Sequence, residues 1–191
     1  MEEHAQETLD RIDRRLLEAL QADARLTTAE LAQQVALSPS PCWRRVKRLE
    51  ALGLVRGYHA ELDPERLGWG VTAFVQVTLE RHEPALGDRF EQAVRAMPEI
   101  VACHNVSGAY DYLLQVLARD LKAFGEFSRI AIRALPGVKE MNSSFSLREV
   151  KRPAGVPVVG GGGGGRGNGR ERAGAATKKT QPQRPPRRKK K

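Results

Sequence analysis

Residues 37–52, LSPSPCWRRVKRLEAL, constrain the fold of this chain more than any other stretch. Pro39 directly follows Ser38, Pro41 comes two residues later, and an unbroken run of helix-compatible residues succeeds them. Proline is tolerated in a first helical turn because those N–H groups have no intrahelical partner. The pattern therefore predicts a helix opening at Ser38. At about 100° per residue, Cys42, Val46 and Leu49 share one face, and Ser40, Trp43, Arg44, Lys47 and Ala51 share the other. The first face is a narrow apolar stripe. The second sets a tryptophan among cations, which a purely structural helix does not need.

Two further helices are expected ahead of it. From Thr8 to Ala22, Leu9, Ile12, Leu16, Leu17 and Leu20 recur at three- and four-residue spacing. Thr8 is a weak cap, and Asp10 and Asp13 suit the positive end of the helix dipole. From Thr28 to Val35 a short helix is opened by Thr27 with Glu30 three residues on, a capping box, and buries Leu31 and Val35. Ala36-Leu37-Ser38 is then a tight turn. Gly53 suits the left-handed position that ends the third helix. Leu54 to Tyr58 and beyond read as strand, turn and strand, a wing carrying Arg56, and Leu62-Asp63-Pro64 closes the unit. Three helices with a basic third and a wing describe a winged helix-turn-helix over residues 1–62, with a linker at 63–70. In that arrangement the third helix enters the major groove of duplex DNA. Its N-terminus meets phosphate, Arg and Lys contact backbone or guanine, and Trp lies against sugar or a thymine methyl. The competing reading is a solvated basic face with Trp43 half-buried on a neighbour. The two preceding helices and the turn favour the groove.

The period then changes. Val71, Ala73, Val75, Val77 and Leu79 alternate with more polar residues, which predicts a strand. Pro84 opens a helix with Leu86, Phe90, Val94 and Met97 on one stripe, stopped by Pro98. Ile100 to Val106 and Tyr112 to Ala118 read as strands around the loop Ser107 to Asp111. A helix from Leu121 to Ala134 points Leu121, Phe124, Phe127, Ile130 and Ala131 inward, and a strand runs from Val138 to Leu147. The order β-α-β-β-α-β over residues 71–159 is that of a ferredoxin-like sandwich, so the chain as a whole is α+β. Two helices cover one face of such a sheet. The other face needs a cover, which argues for self-association. The loop gathers polar groups: Gly108 permits close backbone approach, and Asp111 offers a carboxylate to an ammonium group. Equally, Gly108 is a tight turn capped by Asp111.

The net charge of +9 is unevenly placed. Eleven of the 32 Lys/Arg and one of the 23 acids fall in residues 160–191, which leaves 21 cations against 22 acids elsewhere. The 160–191 segment, rich in Gly, Lys, Arg and Pro, has no apolar periodicity and is expected to be disordered. It reads either as a basic arm that raises nonspecific DNA affinity or as a solubilising extension. The body's own basic patch is local: Arg44, Arg45, Lys47, Arg48 and Arg56 against Glu50 between residues 38 and 58. Cys42 and Cys103 give no disulfide framework and read as reduced thiols. No stretch approaches a membrane span, so a cytoplasmic location is expected.

Over about residues 8–159 the chain resembles the Lrp/AsnC family of leucine-responsive, or feast/famine, regulators. The stretches that carry the resemblance are LDRIDRRLLEALQADARLTTAELAQQVALSPSPCWRRVKRLEALGLVRGYHAELDPERLG, VSGAYDYLLQV and LPGVKEMNSSFSLREVK. The resemblance implies a sequence-specific transcriptional regulator bound to double-stranded DNA in the nucleoid. It implies homodimers built from facing sheets, assembling into tetramers or octamers, with an amino acid or related effector bound between dimers. Carried over residue by residue, it makes Ser38, Ser40, Trp43, Arg44, Arg45, Lys47 and Arg48 candidate DNA contacts and Gly108, Tyr110 and Asp111 candidate effector contacts. The segment after Val159 departs from the family pattern.

Two other readings compete with this one. An architectural chromosome-binding protein would share the fold and differ in its specificity ratio. A haem-pathway decarboxylase of similar layout would use His and Arg on a tetrapyrrole. His4, His59, His82 and His104 are scattered, and no paired carboxylates flank them, so neither a catalytic constellation nor a metal site is expected and no cofactor is implied.

Overall fold

The computed structural model describes residues 9–81, 83–152 and 155–158. Helix α1 (Arg11–Ala22) is opened by Asp10, not Thr8: the Asp10 carboxylate accepts from the Asp13 N–H, and the Asp13 carboxylate accepts from the Asp10 N–H. Thr8 lies outside the described residues. Helix α2 (Thr28–Val35) has the expected capping box, Thr27 with Glu30. Its exit is the tight turn of the helix-turn-helix. Ala36 sits in the left-handed region at φ 56°, and the Leu37 N–H reaches back to the Ala32 carbonyl at 2.9 Å. Helix α3 (Pro39–Ala51) begins at once with Ser38 at its N-cap position. Gly53, at φ +69°, closes it: its N–H meets the Glu50 carbonyl at 2.9 Å, and the Leu54 N–H meets that of Leu49 at 3.1 Å.

The three helices enclose one core of Leu16, Leu20, Leu31, Ala32, Val35, Cys42 and Leu49. Leu16, Leu20, Leu31, Val35, Cys42 and Leu49 lie on the apolar stripes visible in the sequence, and Ala32 joins them. The wing is different from its expectation. Residues 54–63 form no strand: the chain bends at Leu54 and Val55 and has no regular structure from 56 to 63. Val55 packs on the core, and the Tyr58 hydroxyl donates to Glu50 Oε1 at 2.9 Å. A two-stranded ribbon alone is marginal, and here the single chain is tied to α3 directly.

The second core lies under a four-stranded antiparallel sheet of order β2-β3-β1-β4. Its strands are β1 (Val71–Leu79), β2 (Ile100–Asn105), β3 (Tyr112–Ala118) and β4 (Val138–Phe145). Central strands β1 and β3 alternate as expected, with Ala73, Val75, Val77, Leu114 and Val116 buried. Helix α4 (Pro84–Arg95) lays Phe90 and Val94 on them. Helix α5 (Leu121–Phe127) adds Phe124 and then widens into a π turn over Ser128–Ile132, where the Arg133 N–H bonds the Ser128 carbonyl at 3.0 Å. The extra residue per turn rotates the downstream side chains about the helix axis. Ser128 and Ile132 therefore turn inward, while Ile130, expected inside, is exposed. Leu121, also expected inside, is exposed at the first helical position. The opposite sheet face carries Phe74, Leu113 and Leu117 among glutamines and threonines, with no element of this chain over it among the described residues.

After β4 the chain returns to the first helical unit. Arg152 Nη1 lies 3.3 Å from Glu61, and the Gln21 side-chain amide makes a two-way bond with the backbone of Val156, donating to its carbonyl at 2.9 Å and accepting its N–H at 2.6 Å. Residues 160–191, expected to be disordered, lie outside the described residues.

Ala36 carries a Cβ in a left-handed conformation that costs an L-residue about 1–2 kcal/mol, partly offset by the chain entropy that glycine adds. Ala36→Gly is expected to raise stability by about 0.5–1 kcal/mol. The urea midpoint of the full chain checks this, and an unchanged or lower midpoint contradicts it.

Candidate functional site

The exposed side of α3 is organised by the residues beneath it. Asp13 on α1 is almost fully buried, at 1% exposure, and so needs charged partners. Arg45 Nη1 reaches its Oδ1 at 2.8 Å and Asp10 Oδ2 at 2.6 Å, and Arg48 Nη2 reaches Asp13 Oδ2 at 2.6 Å. The Asp13 N–H, which donates to Asp10, and the neighbouring Arg45 hold the Asp10 carboxyl below the usual carboxylate range. The hydrogen bonds that Arg45 donates to Asp13 and Asp10 push its own pKa upward. α3 is thus riveted to α1 by two of its own cations.

The other sequence-predicted residues lie elsewhere on the helix. Trp43 is 53% exposed, and Ser38, Ser40 and Arg44 are exposed on the same N-terminal half. Lys47 meets Glu50 at 2.7 Å, three residues on. Lys47 and then Tyr58 hold the Glu50 carboxyl down. Burial, with Glu50 beside it, pushes Tyr58 up to about 12. Arg56 is exposed on the irregular wing. The magnitudes separate the two kinds of pair. An exposed i,i+3 pair such as Lys47–Glu50 is worth at most about 1 kcal/mol and yields easily to another anion. Removing the partners of a buried carboxylate costs about 3–5 kcal/mol. Ser40, Trp43, Arg44 and Lys47 are therefore available to a partner, and Arg45 and Arg48 are committed to Asp13. Sequence reasoning missed Asp13 itself. Its only signal was an aspartate on the inner side of the apolar stripe.

In the second unit, Asp111 stands just before β3. Its N–H donates to the Val77 carbonyl at 2.9 Å, and its Oδ2 accepts from the Leu79 N–H at 2.8 Å, in place of the carbonyl β3 would offer if it ran on. Its own carbonyl accepts from the Val106 N–H at 2.9 Å and Asn105 Nδ2 at 3.1 Å. The Asp111 carboxylate thus satisfies the last N–H of β1 and also lines a cleft. That cleft is bounded by Leu79, Arg81, Glu83, Pro84, Gly87, Asp88, Glu91, Asn105 and Tyr112. Gly108, at φ +135° and in open space, and the half-buried Tyr110 belong to the adjoining loop and not to the wall. The sequence reading missed Arg81, Glu91 and Asn105. The charged residues directly after the first strand were the available signal.

Two family models match the chain: "Winged helix-turn-helix DNA-binding" over residues 9–56 and "Lrp/AsnC ligand binding domain" over residues 72–156. The DNA-binding transcriptional activator DecR of Escherichia coli is 40% identical over 150 residues, spanning 78% of this chain and 99% of that protein. The chain belongs to the Lrp/AsnC family. The leucine-responsive regulatory protein of Klebsiella pneumoniae is 42% identical over 144 residues, 75% of this chain and 88% of its own. Among solved structures, a Neisseria meningitidis transcriptional regulator in complex with L-methionine is 43% identical, with a TM-score of 0.73 over 76% of this chain and 94% of that one. An AsnC family regulator from Agrobacterium tumefaciens is 35% identical, with a TM-score of 0.74 over 78% and 97%.

This Lrp/AsnC protein is a DNA-binding transcriptional regulator with a separate ligand-binding domain. Its relatives are regulators and not enzymes, and they support neither the decarboxylase nor the architectural reading. No described helix is long and apolar enough to cross a membrane.

The commitment of Arg45 and Arg48 has a thermodynamic signature. Arg45→Ala with Arg48→Ala strands a buried charge and is expected to cost about 3–5 kcal/mol, whereas Asp13→Asn costs about 1–2 kcal/mol because the released arginines reach solvent. Adding Asp13→Asn to the double variant should restore much of the loss. Urea denaturation of the four proteins reads this, and independent, additive effects would refute it.

Proposed function

We propose that α3 reads a pseudo-palindromic operator through Ser40, Trp43, Arg44 and Lys47, with Ser38 and Arg56 on flanking phosphates. The observation that carries this reading is the division of cations on α3. Arg45 and Arg48 are spent on Asp13, and the N-terminal half is left exposed around Trp43. Arg45 and Arg48 then act by fixing the helix and not by touching the duplex. The uncovered sheet face pairs two copies of the chain, and dimers of heads meet two half-sites. Dimers assemble further into tetramers or octamers, and the protein works on cytoplasmic nucleoid DNA.

The cleft beside Asp111 takes an amino acid. Arg81 supplies a cation for an α-carboxylate, and Asp111 and Glu91 supply carboxylates for an α-ammonium, with Leu79 and Pro84 toward the side chain. Gly108 and Tyr110 sit on the loop that a second dimer would close over the ligand. The L-methionine complex of the Neisseria relative supports this ligand class. The effector acts by favouring one assembly over another, which changes the spacing of the heads.

Two outcomes are expected. Arg44→Ala with Lys47→Ala lowers operator affinity at least about tenfold while leaving the fold intact, since each good base contact is worth about 1–3 kcal/mol. Unchanged specific binding by a folded variant in a gel-shift titration would remove α3 as the reading helix. Separately, Arg81→Ala weakens the best ligand from an amino-acid panel by about tenfold or more in calorimetry, the worth of a charged hydrogen bond. It leaves effector-free DNA binding unaltered. Equal ligand affinity in both proteins places the effector elsewhere.

A further inference from the structure

One acid stands on α3 among the cations. Glu50 is the single acidic residue between residues 38 and 58, beside Arg44, Arg45, Lys47, Arg48 and Arg56. At about 100° per residue it falls on the flank of α3 that carries Trp43, and it neighbours Lys47 three residues back. Its two carboxylate oxygens are used separately. Oε2 accepts from Lys47 Nζ at 2.7 Å, and Oε1 accepts from the Tyr58 hydroxyl at 2.9 Å. One side chain thus joins a reading cation of α3 to the wing. Lys47 and Tyr58 are exposed at 54% and 47%, so neither bond serves to satisfy a buried group.

Affinity alone does not explain a carboxylate in that place, because a negative charge beside a groove repels the phosphates that flank it. Specificity is a difference between affinities, and a group that penalises the wrong duplex raises it. The chemistry of Lys47 supplies the rest. An ammonium group has three donors on a flexible stem and meets phosphate readily. Held by Glu50, it keeps two donors on the reading face. A base-edge acceptor lying there is met without breaking the pair. A phosphate at the groove rim is met only by leaving Glu50 unpaired. Tyr58 does related work for the wing, where the chain has no regular structure from 56 to 63. The N–H groups of Leu54 and Val55 bond the Leu49 carbonyl at 3.1 and 3.4 Å, and three residues on the Tyr58 hydroxyl ties the chain to α3 again. Arg56 lies between the two ties.

We infer that Glu50 is a positioning residue for DNA recognition: it aims Lys47 at base edges and, through Tyr58, sets Arg56 of the wing against the phosphate backbone. This rests on the helix-in-groove reading and adds to it a residue that acts through its two neighbours. Phosphate contacts place a protein on a duplex, and base contacts discriminate. Without the Glu50 charge, Lys47 joins whichever phosphate is near, which strengthens binding to every sequence and weakens the preference for one. Without the Tyr58 hydroxyl, the stretch that carries Arg56 is fixed to α3 at one end only, and its phosphate contact is lost. Both ties are surface bonds, so their effect on binding is several-fold and not hundredfold.

The test is fluorescence anisotropy of the full chain across a salt series, on a random-sequence duplex and on an operator selected with the full chain from a random pool. Glu50→Gln keeps the size of the side chain and removes the charge that holds Lys47. It is expected to raise random-duplex affinity about twofold to threefold and to lower operator affinity about twofold, so that the operator preference falls about fivefold. On the random duplex the slope of log affinity against log salt should steepen by about 0.9, the contribution of one further phosphate. Tyr58→Phe should make that slope shallower by about 0.9 on both duplexes, and should add nothing once Arg56→Ala is present. A preference unchanged by Glu50→Gln overturns the proposal. So does an equal gain on both duplexes, because the carboxylate then acts by repulsion alone. Additive effects of Tyr58→Phe and Arg56→Ala overturn it too, because Tyr58 then acts apart from Arg56. The Arg44→Ala, Lys47→Ala variant separates this proposal from the reading beneath it. If that variant is folded and keeps the operator preference, the helix-in-groove reading falls and this proposal with it. If it loses the preference while Glu50→Gln keeps it, this proposal alone falls.

Discussion

A single buried carboxylate sets the geometry of this molecule's DNA-binding head. Asp13 sits inside a core otherwise built from leucine, valine, alanine and cysteine, where an ionised group is tolerated only with partners. Both partners come from α3, three residues apart and so on neighbouring turns. Apolar side chains fix how far α3 sits from α1, but a greasy contact permits sliding and rotation. Two guanidinium groups on one carboxylate do not. Asp10 shares the arrangement by capping α1 and gripping Arg45 at once. The start of one helix and the rotation of another are therefore a single constraint. The exposed half of α3 owes its presentation to it.

That division of labour clarifies what a basic helix means. Five cations between residues 38 and 58 read as one patch in the sequence, yet they differ in what they can do. Two stabilise the fold, one rests on a weak surface pair with Glu50, and the remaining two are exposed at the leading turns and the wing. The second domain shows the same economy at Asp111. One residue ends a strand with its backbone, replaces a missing carbonyl with one oxygen, and lines a cleft.

Much of the fold was legible because it rests on local periodicity. Leu16 and Leu20, Leu31 and Val35, and Cys42 and Leu49 each mark a helix face, and Val75, Val77, Leu114 and Val116 mark strands buried on one side. The family resemblance was legible from the same stretches. The features that escaped depend on distant partners or on rare backbone states. Asp13 was read as a dipole complement because aspartate is seldom fully buried, and its arginines lie 32 and 35 residues away. The wing looked like strands because Leu54, Val55 and Tyr58 have strand propensity, but with no partner strand the tie to Glu50 prevailed. Ile130 was placed inside by a 3.6-residue period that the π turn at Ser128 breaks. The cleft around Arg81 and Glu91 joins residues from four elements and the loops between them, so only its Asp111 stood out.

The grip of Gln21 on Val156 touches peptide atoms alone. Any residue but proline can occupy position 156 and still offer the same N–H and carbonyl, so that site is open to drift. Position 155 is not, because its φ is +84° and a β-carbon there would strike the Gln21 amide oxygen, and position 21 must carry an amide long enough to face both groups at once. Within one short stretch of chain, freedom and strictness alternate residue by residue, set by which atoms the neighbouring helix holds.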